Sequence, residues 1–120
     1  MKYIDIKKSI ALISDPVEKL EMVIELGKSL EPVPKDAKCN EIFGCASFVQ
    51  ICEKDGSFYG QADSLMVRGI VAIILAMVKG KSTDEIKKID LLGEFNSLNL
   101  NFGAGRLNGI QSMVSFFKNL

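Results

Sequence analysis

The chain has no histidine among its 120 residues. That absence excludes Ser-His and Cys-His catalytic pairs and any His-ligated zinc site. A metal would have to be held by cysteine and carboxylate alone, and a reactive thiol would need activation by backbone amides, lysine or arginine. A surplus of either charge is also missing, since 15 Lys and Arg offset 15 Asp and Glu. This gives no support for nucleic-acid or membrane-surface binding, which need a basic excess. Long apolar runs are absent as well. The longest, "GIVAIILAMV" from Gly69 to Val78, is about half of the ~20 residues that span a bilayer. The start "MKYIDIKKSIALI" lacks the long apolar stretch of a signal peptide. The expectation is a cytoplasmic protein in which Gly69–Val78 is a buried helix. Cysteines are few, and three is an odd number without secretory context. Free thiols are therefore expected, and a structural disulfide is not.

What is present fits one domain over residues 1–120, with enough apolar side chains for a core. "SDPVEKLEMVIELGKSL" opens with Asp15 as N-cap, Pro16 at the first helical position and Glu18 placed for a capping box. Leu20, Val23, Ile24, Gly27 and Leu30 then line one helical face. Pro32 and Pro34 end that helix in an exposed connector. "SFVQICE", then Asp55-Gly56, then "FYGQAD" reads as a β-hairpin, with room for a third short strand before position 45. "DSLMVRGIVAIILAMVKG" reads as a long core helix, capped by Asp63, ending near Lys79 and stopped by Gly80, with Gly69 allowing close approach of another backbone. Ser82 and Glu85 form a capping box for a following helix. The tail predicts a last amphipathic helix with Leu107, Ile110, Val114 and Phe117 on its buried face. Helix, small antiparallel sheet of about three strands, then helices make an α+β fold.

The cysteines carry the chemical question. Cys39, Cys45 and Cys52 follow a C-x5-C-x6-C spacing, which lacks the close pairs of structural zinc sites and falls one ligand short of a tetrahedron. No metal site is expected. Cys52 alternates with Phe48 and Gln50 along a strand and reads as core filler. Cys39, among Lys35, Lys38 and Asn40, reads as exposed and incidental. Cys45 follows Gly44 and precedes the small residues Ala46 and Ser47, at a loop tip between elements. Spacing alone leaves a reactive thiol and a buried one equally open there. "FGAGRLNG" lacks the spacing and the lysine of a phosphate-binding loop. Read alone, Arg106 is a surface arginine and Asp63 an ordinary cap.

Three separated segments nevertheless form a pattern. "FGCAS" before a strand, "ADSLMVRGIVAII" after a hairpin and "RLNGIQSMV" opening the last helix together resemble the SufE family of sulfur acceptors. That family's pattern runs G-C-Q-S, S-D-A-x-I-V-K-G-L and S-R-x-N-G, and the resemblance extends from about Pro16 to Phe117. It implies a fold similar to that of iron–sulfur scaffold proteins, a small antiparallel sheet with helices packed on it. It implies that Cys45 accepts sulfur as a persulfide from a cysteine desulfurase, stimulates that enzyme and passes sulfur toward iron–sulfur cluster assembly through a downstream scaffold. The chain would then be a transfer partner rather than a stand-alone enzyme, monomeric or weakly dimeric, with pyridoxal phosphate only on the desulfurase. Gly44, Ser47, Asp63, Arg68, Arg106, Asn108 and Gly109 are carried over as loop-supporting or partner-contacting residues. The chain departs from the pattern at Ala46, at Gln50 where the family has tryptophan, and at "NFGAG" before Arg106. Two rival readings are a metal or cluster scaffold using all three cysteines and a non-catalytic desulfurase adaptor.

Overall fold

The computed structural model describes residues 1–44 and 47–120. Its elements run α1 (Tyr3–Ala11), α2 (Pro16–Gly27), β1 (Lys38–Glu41), β2 (Val49–Lys54), β3 (Ser57–Ala62), α3 (Leu65–Val78), α4 (Thr83–Lys88), α5 (Leu91–Asn96) and α6 (Ala104–Lys118). The strands form an antiparallel meander in the order β1-β2-β3. This is the expected α+β architecture, and the third strand before position 45 is present. Asp55 and Gly56 close the β2–β3 hairpin with φ of 52° and 80°, the backbone of a tight turn that Asp-Gly favours.

Alternation along the strands divides the sheet into two faces. Val49 and Ile51 lie across from Ala62 and Gly60, and this face meets α3: a Cβ built on Gly60 would stand 2.5 Å from Val71 Cγ1 and 3.4 Å from Ile51 Cδ1. Phe58 shares the face and packs edge-on against Phe117 of α6, with ring centroids 5.1 Å apart. Gln50, Cys52, Tyr59 and Gln61 point the other way.

α3 is the central helix, buried at nine positions from Val67 to Val78. α2 crosses it at a glycine pair, as expected for Gly69. A Cβ on Gly27 would stand 2.8 Å from the Gly69 amide nitrogen, and one on Gly69 would collide with the Val23 carbonyl. Backbones this close pack two helices without any side chain between them. The expected Ser82–Glu85 capping box is present, and Gly80 follows α3 at φ 75°.

Several expectations need correction. The N-cap of α3 is Ser64, whose hydroxyl accepts from Val67 N–H at 3.4 Å. Asp63 stands one position outside the helix and is exposed. Asp15 caps α2 through the Val17 amide at 2.8 Å, so its side chain serves the second helical residue rather than Glu18. Leu107 is 39% exposed, and Met113 takes the buried place beside Ile110, Val114 and Phe117. Two helices have no counterpart in the sequence reading, α1 and α5. They are joined by the Tyr3 hydroxyl, which donates to Glu94 Oε1 at 2.7 Å, and by Lys7 Nζ on the same oxygen at 3.2 Å. Burial, reinforced by the Glu94 charge, pushes the Tyr3 phenol up; the Tyr3 hydrogen bond, then Lys7, holds the Glu94 carboxyl below its ordinary range.

Candidate functional site

The site is built around the connection between β1 and β2. Cys45, the expected sulfur acceptor, and Ala46 lie outside the described residues, but the chain on either side of them is placed. Ile42 is buried and donates its N–H to the Val49 carbonyl at 2.8 Å, the last rung of the ladder. Phe43 then turns into solvent at 77% exposure. Gly44 has φ +94°, a conformation open to glycine, and a Cβ there would stand 2.6 Å from Ser112 Oγ. The residue before the cysteine is therefore seated on α6.

Ser112 in turn donates its hydroxyl to the Asn108 carbonyl at 3.0 Å, one turn back along α6. That turn holds the expected Arg-x-Asn-Gly residues, with Arg106 and Asn108 exposed and Gly109 buried. On the other side of the loop Ser47 is half-buried. The Phe48 carbonyl accepts from the Asp63 N–H at 3.2 Å, which ties the loop's exit to the start of the Asp-containing segment. Arg68, one turn into α3, reaches back and donates Nε to the Ala62 carbonyl at 2.7 Å. Phe48, Asp63 and Arg68 share a shallow cleft of about 270 Å³ with Pro32 and Val33. The three segments singled out in the sequence thus meet at one place: "RLNG" under the loop's entry, "ADSLMVR" beside its exit.

The other two cysteines are where the sequence reading fails. Cys39 and Cys52 are joined by a disulfide, although free thiols were expected. They stand directly opposite each other in the β1–β2 ladder, with Cα atoms 4.0 Å apart. Because Ile42 and Val49 make a hydrogen-bonded rung, alternation puts Cys39 and Cys52 at a non-hydrogen-bonded rung, where side chains approach most closely. Cys52 is fully buried but sits on the face turned away from α3, so it is not packing for the central core. Cys39 is exposed, as expected, but not incidental. A usable signal was in the numbering. The two cysteines are equidistant from the 45–46 midpoint, so a hairpin centred on that loop brings them face to face.

A scan against family models matches residues 4–120 to SufE, described as an Fe-S metabolism associated domain. The chain belongs to the SufE family. It is 32% identical over 127 aligned positions to the cysteine desulfuration protein SufE of Wigglesworthia glossinidia brevipalpis, covering 98% of this chain and 88% of that one. It is 30% identical over 105 positions to the sulfur acceptor protein CsdE of Escherichia coli K12, covering 80% of this chain and 71% of the other. A hypothetical protein of Thermus thermophilus, solved in solution, has the same fold at a TM-score of 0.75 and 15% identity, over 99% of this chain and 94% of its own. The SufE-family placement agrees with the convergence of the three segments on one loop. Among the described residues no group of three or more Cys, Asp or Glu is arranged to hold a metal ion. No helix among them is long and apolar enough to cross a membrane.

Proposed function

We infer that the chain is a sulfur acceptor for a cysteine desulfurase in iron–sulfur metabolism, with Cys45 as the accepting residue. The observation that carries this reading is the seating of Gly44, the residue before Cys45, on Ser112, which is bonded to the Asn108 carbonyl in the α6 turn of Arg106, Asn108 and Gly109. The names of the two curated relatives support the same role. The Cys45 thiolate attacks the outer sulfur of a persulfide on the desulfurase; that S–S bond breaks, the desulfurase cysteine leaves as thiolate, and Cys45 holds the sulfane sulfur. No histidine is needed, because a thiol with pKa near ~8.5 is partly ionised at neutral pH and cationic neighbours increase that fraction.

In this reading Gly44, Ser47, Asp63, Arg68, Arg106, Asn108 and Gly109 support the loop or contact the partner. Pyridoxal phosphate stays on the desulfurase, and the chain works in the cytoplasm as one SufE-like domain over residues 1–120, monomeric or weakly dimeric. It stimulates the desulfurase and passes sulfur to a downstream scaffold. The cluster-scaffold rival loses support, since two of its three ligands are bonded to each other.

The test is intact mass after mixing with a cysteine desulfurase and cysteine. Wild type and Cys52→Ala are expected to gain sulfur, and Cys45→Ser to gain none. Loading of Cys45→Ser would move the acceptor elsewhere. Full stimulation of the desulfurase by a chain lacking every cysteine would favour the adaptor.

A further inference from the structure

The Cys39–Cys52 bond is not used by sulfur transfer, and its position is peculiar. It staples the β1–β2 hairpin below the loop that carries Gly44-Cys45, with three rungs between them: Asn40 across from Ile51, Glu41 across from Gln50, and Ile42 bonded to Val49. β1 is an edge strand of four residues, all exposed, paired only with β2. Apart from the ladder, the described segment leading into β1 is held by an exposed ion pair, Asp36 to Lys54 Nζ at 2.8 Å, which contributes little. The bond lies on the sheet face turned away from α3, with Cys39 open to solvent and Cys52 fully covered.

We propose that Cys39 and Cys52 are a reversible thiol–disulfide couple, a redox-modification site that sets how tightly the sulfur-acceptor hairpin is held. The asymmetric exposure defines the route. The thiolate of a low-molecular-weight thiol attacks Cys39 Sγ, the Cys39–Cys52 bond breaks, and its electron pair leaves on Cys52 Sγ, which takes up a proton. A second thiolate then attacks the reductant sulfur of the mixed disulfide and releases Cys39 as a thiol. The reductant is left as a disulfide, two electrons and two protons having passed to the chain. With the bond open, a short exposed edge strand keeps only its ladder, the Asp36–Lys54 pair and the buried Ile42 to hold it, and the hairpin end opens more often. With it closed, Cys45 is the one remaining cysteine, and Gly44 before it stays seated on Ser112 of α6. The effect on sulfur delivery rests on the functional reading above; the couple itself does not.

The experiment equilibrates the folded full-length chain in glutathione buffers of graded ratio, quenches with acid, and maps thiols by alkylation and peptide mass. Two species are expected, with Cys39 and Cys52 changing together and the fold retained by circular dichroism. A Cys39–Cys52 peptide that never forms, or a bond that opens only in denaturant, would overturn the couple. On the same samples, the alkylation rate of Cys45 and amide exchange at residues 41–50 are expected to rise by roughly tenfold on reduction, as local opening becomes easier. Cys39→Ser, altered at an exposed position, should behave as the reduced form under all buffers. Rates that ignore the redox state, or a Cys39→Ser variant as slow as the oxidised chain, would overturn the control of the loop. If the couple and the rates behave as stated while Cys45 accepts no sulfur, the sulfur-acceptor reading fails and the switch stands.

Discussion

At position 44 two independent constraints select glycine. The backbone sits at φ +94°, and the space where a Cβ would go is taken by Ser112 Oγ. The first constraint costs a non-glycine residue of order 1–3 kcal/mol; the second depends on one atom that can be removed. With that hydroxyl gone the nearest atom is Ser112 Cβ at 3.7 Å, an ordinary contact. Gly44→Ala is therefore expected to destabilise the chain by about 2 kcal/mol and to slow sulfur loading, with Ser112→Ala alone nearly neutral. The double variant should recover part of the loss, a coupling of about 0.5–1 kcal/mol between residues 68 positions apart. Denaturant melts of the four proteins measure it. Additive losses would mean that Gly44 is required for its φ alone.

The Tyr3–Glu94–Lys7 cluster is the side-chain link of α1 to α5, and it makes that link pH-dependent. Glu94 titrates lower in the folded chain than unfolded, so its contribution is complete above the unfolded value of about 4.3 and is lost as pH falls through the depressed folded one. The Tyr3 phenol is shifted up, so its contribution is present below about 10 and lost as pH rises beyond it. Tyr3→Phe should lower stability at neutral pH by at most ~1 kcal/mol, because solvent reaches Glu94. The gap in melting temperature from wild type should close between about pH 5 and 3, to about nothing. A gap that persists unchanged into acid would mean that the Tyr3 hydroxyl contributes independently of the Glu94 charge.

These two helices also show what a sequence reading can and cannot reach at this scale. α3 and the Asp55-Gly56 hairpin were legible because long apolar periodicity and turn chemistry are local signals. α1 and α5 were not. α1 buries only Ile6 and Ile10 and has no side-chain N-cap, and α5 is six residues with Leu91 and Phe95 inward. Such short helices form through tertiary contacts, not propensity. Asp63 and Ser64 are both good N-caps by residue type, and the choice of Ser64 is made in the fold, where Asp63 still belongs to the sheet's end through its amide bond to the Phe48 carbonyl. At the site, the three segments were readable as motifs, but their meeting place was not. The partnership of Cys39 and Cys52 depended on assigning β1, four residues with every side chain exposed, which leaves no burial pattern to detect.

Taken whole, the molecule has no net charge to steer a partner and carries apolar side chains where the loop emerges. Eight large apolar residues are exposed among the described ones. Four lie within residues 1–17; of the other four, Phe43, Leu65 and Leu107 fall in the three segments around the loop and Phe48 directly follows the first of them. The second group belongs to segments tied together by the Gly44–Ser112 and Phe48–Asp63 contacts, and a desulfurase docking there would bury it. Apolar contacts of this kind supply affinity through burial rather than long-range attraction, so sulfur transfer should change little between about 50 and 300 mM salt. Phe43, at 77% exposure, contributes little to the fold, and Phe43→Ser should shift stability by no more than ~0.5 kcal/mol. If it anchors the partner, the same substitution should weaken desulfurase stimulation by about tenfold or more. Leu12→Ser, altered at an 88% exposed residue of the other group, is the matched control and should leave stimulation unchanged. Dose–response curves of desulfurase activity against each variant decide the matter. Equal losses from both substitutions would mean that apolar area anywhere on the chain serves as well, and a steep salt dependence would place recognition on Arg68 and Arg106 instead.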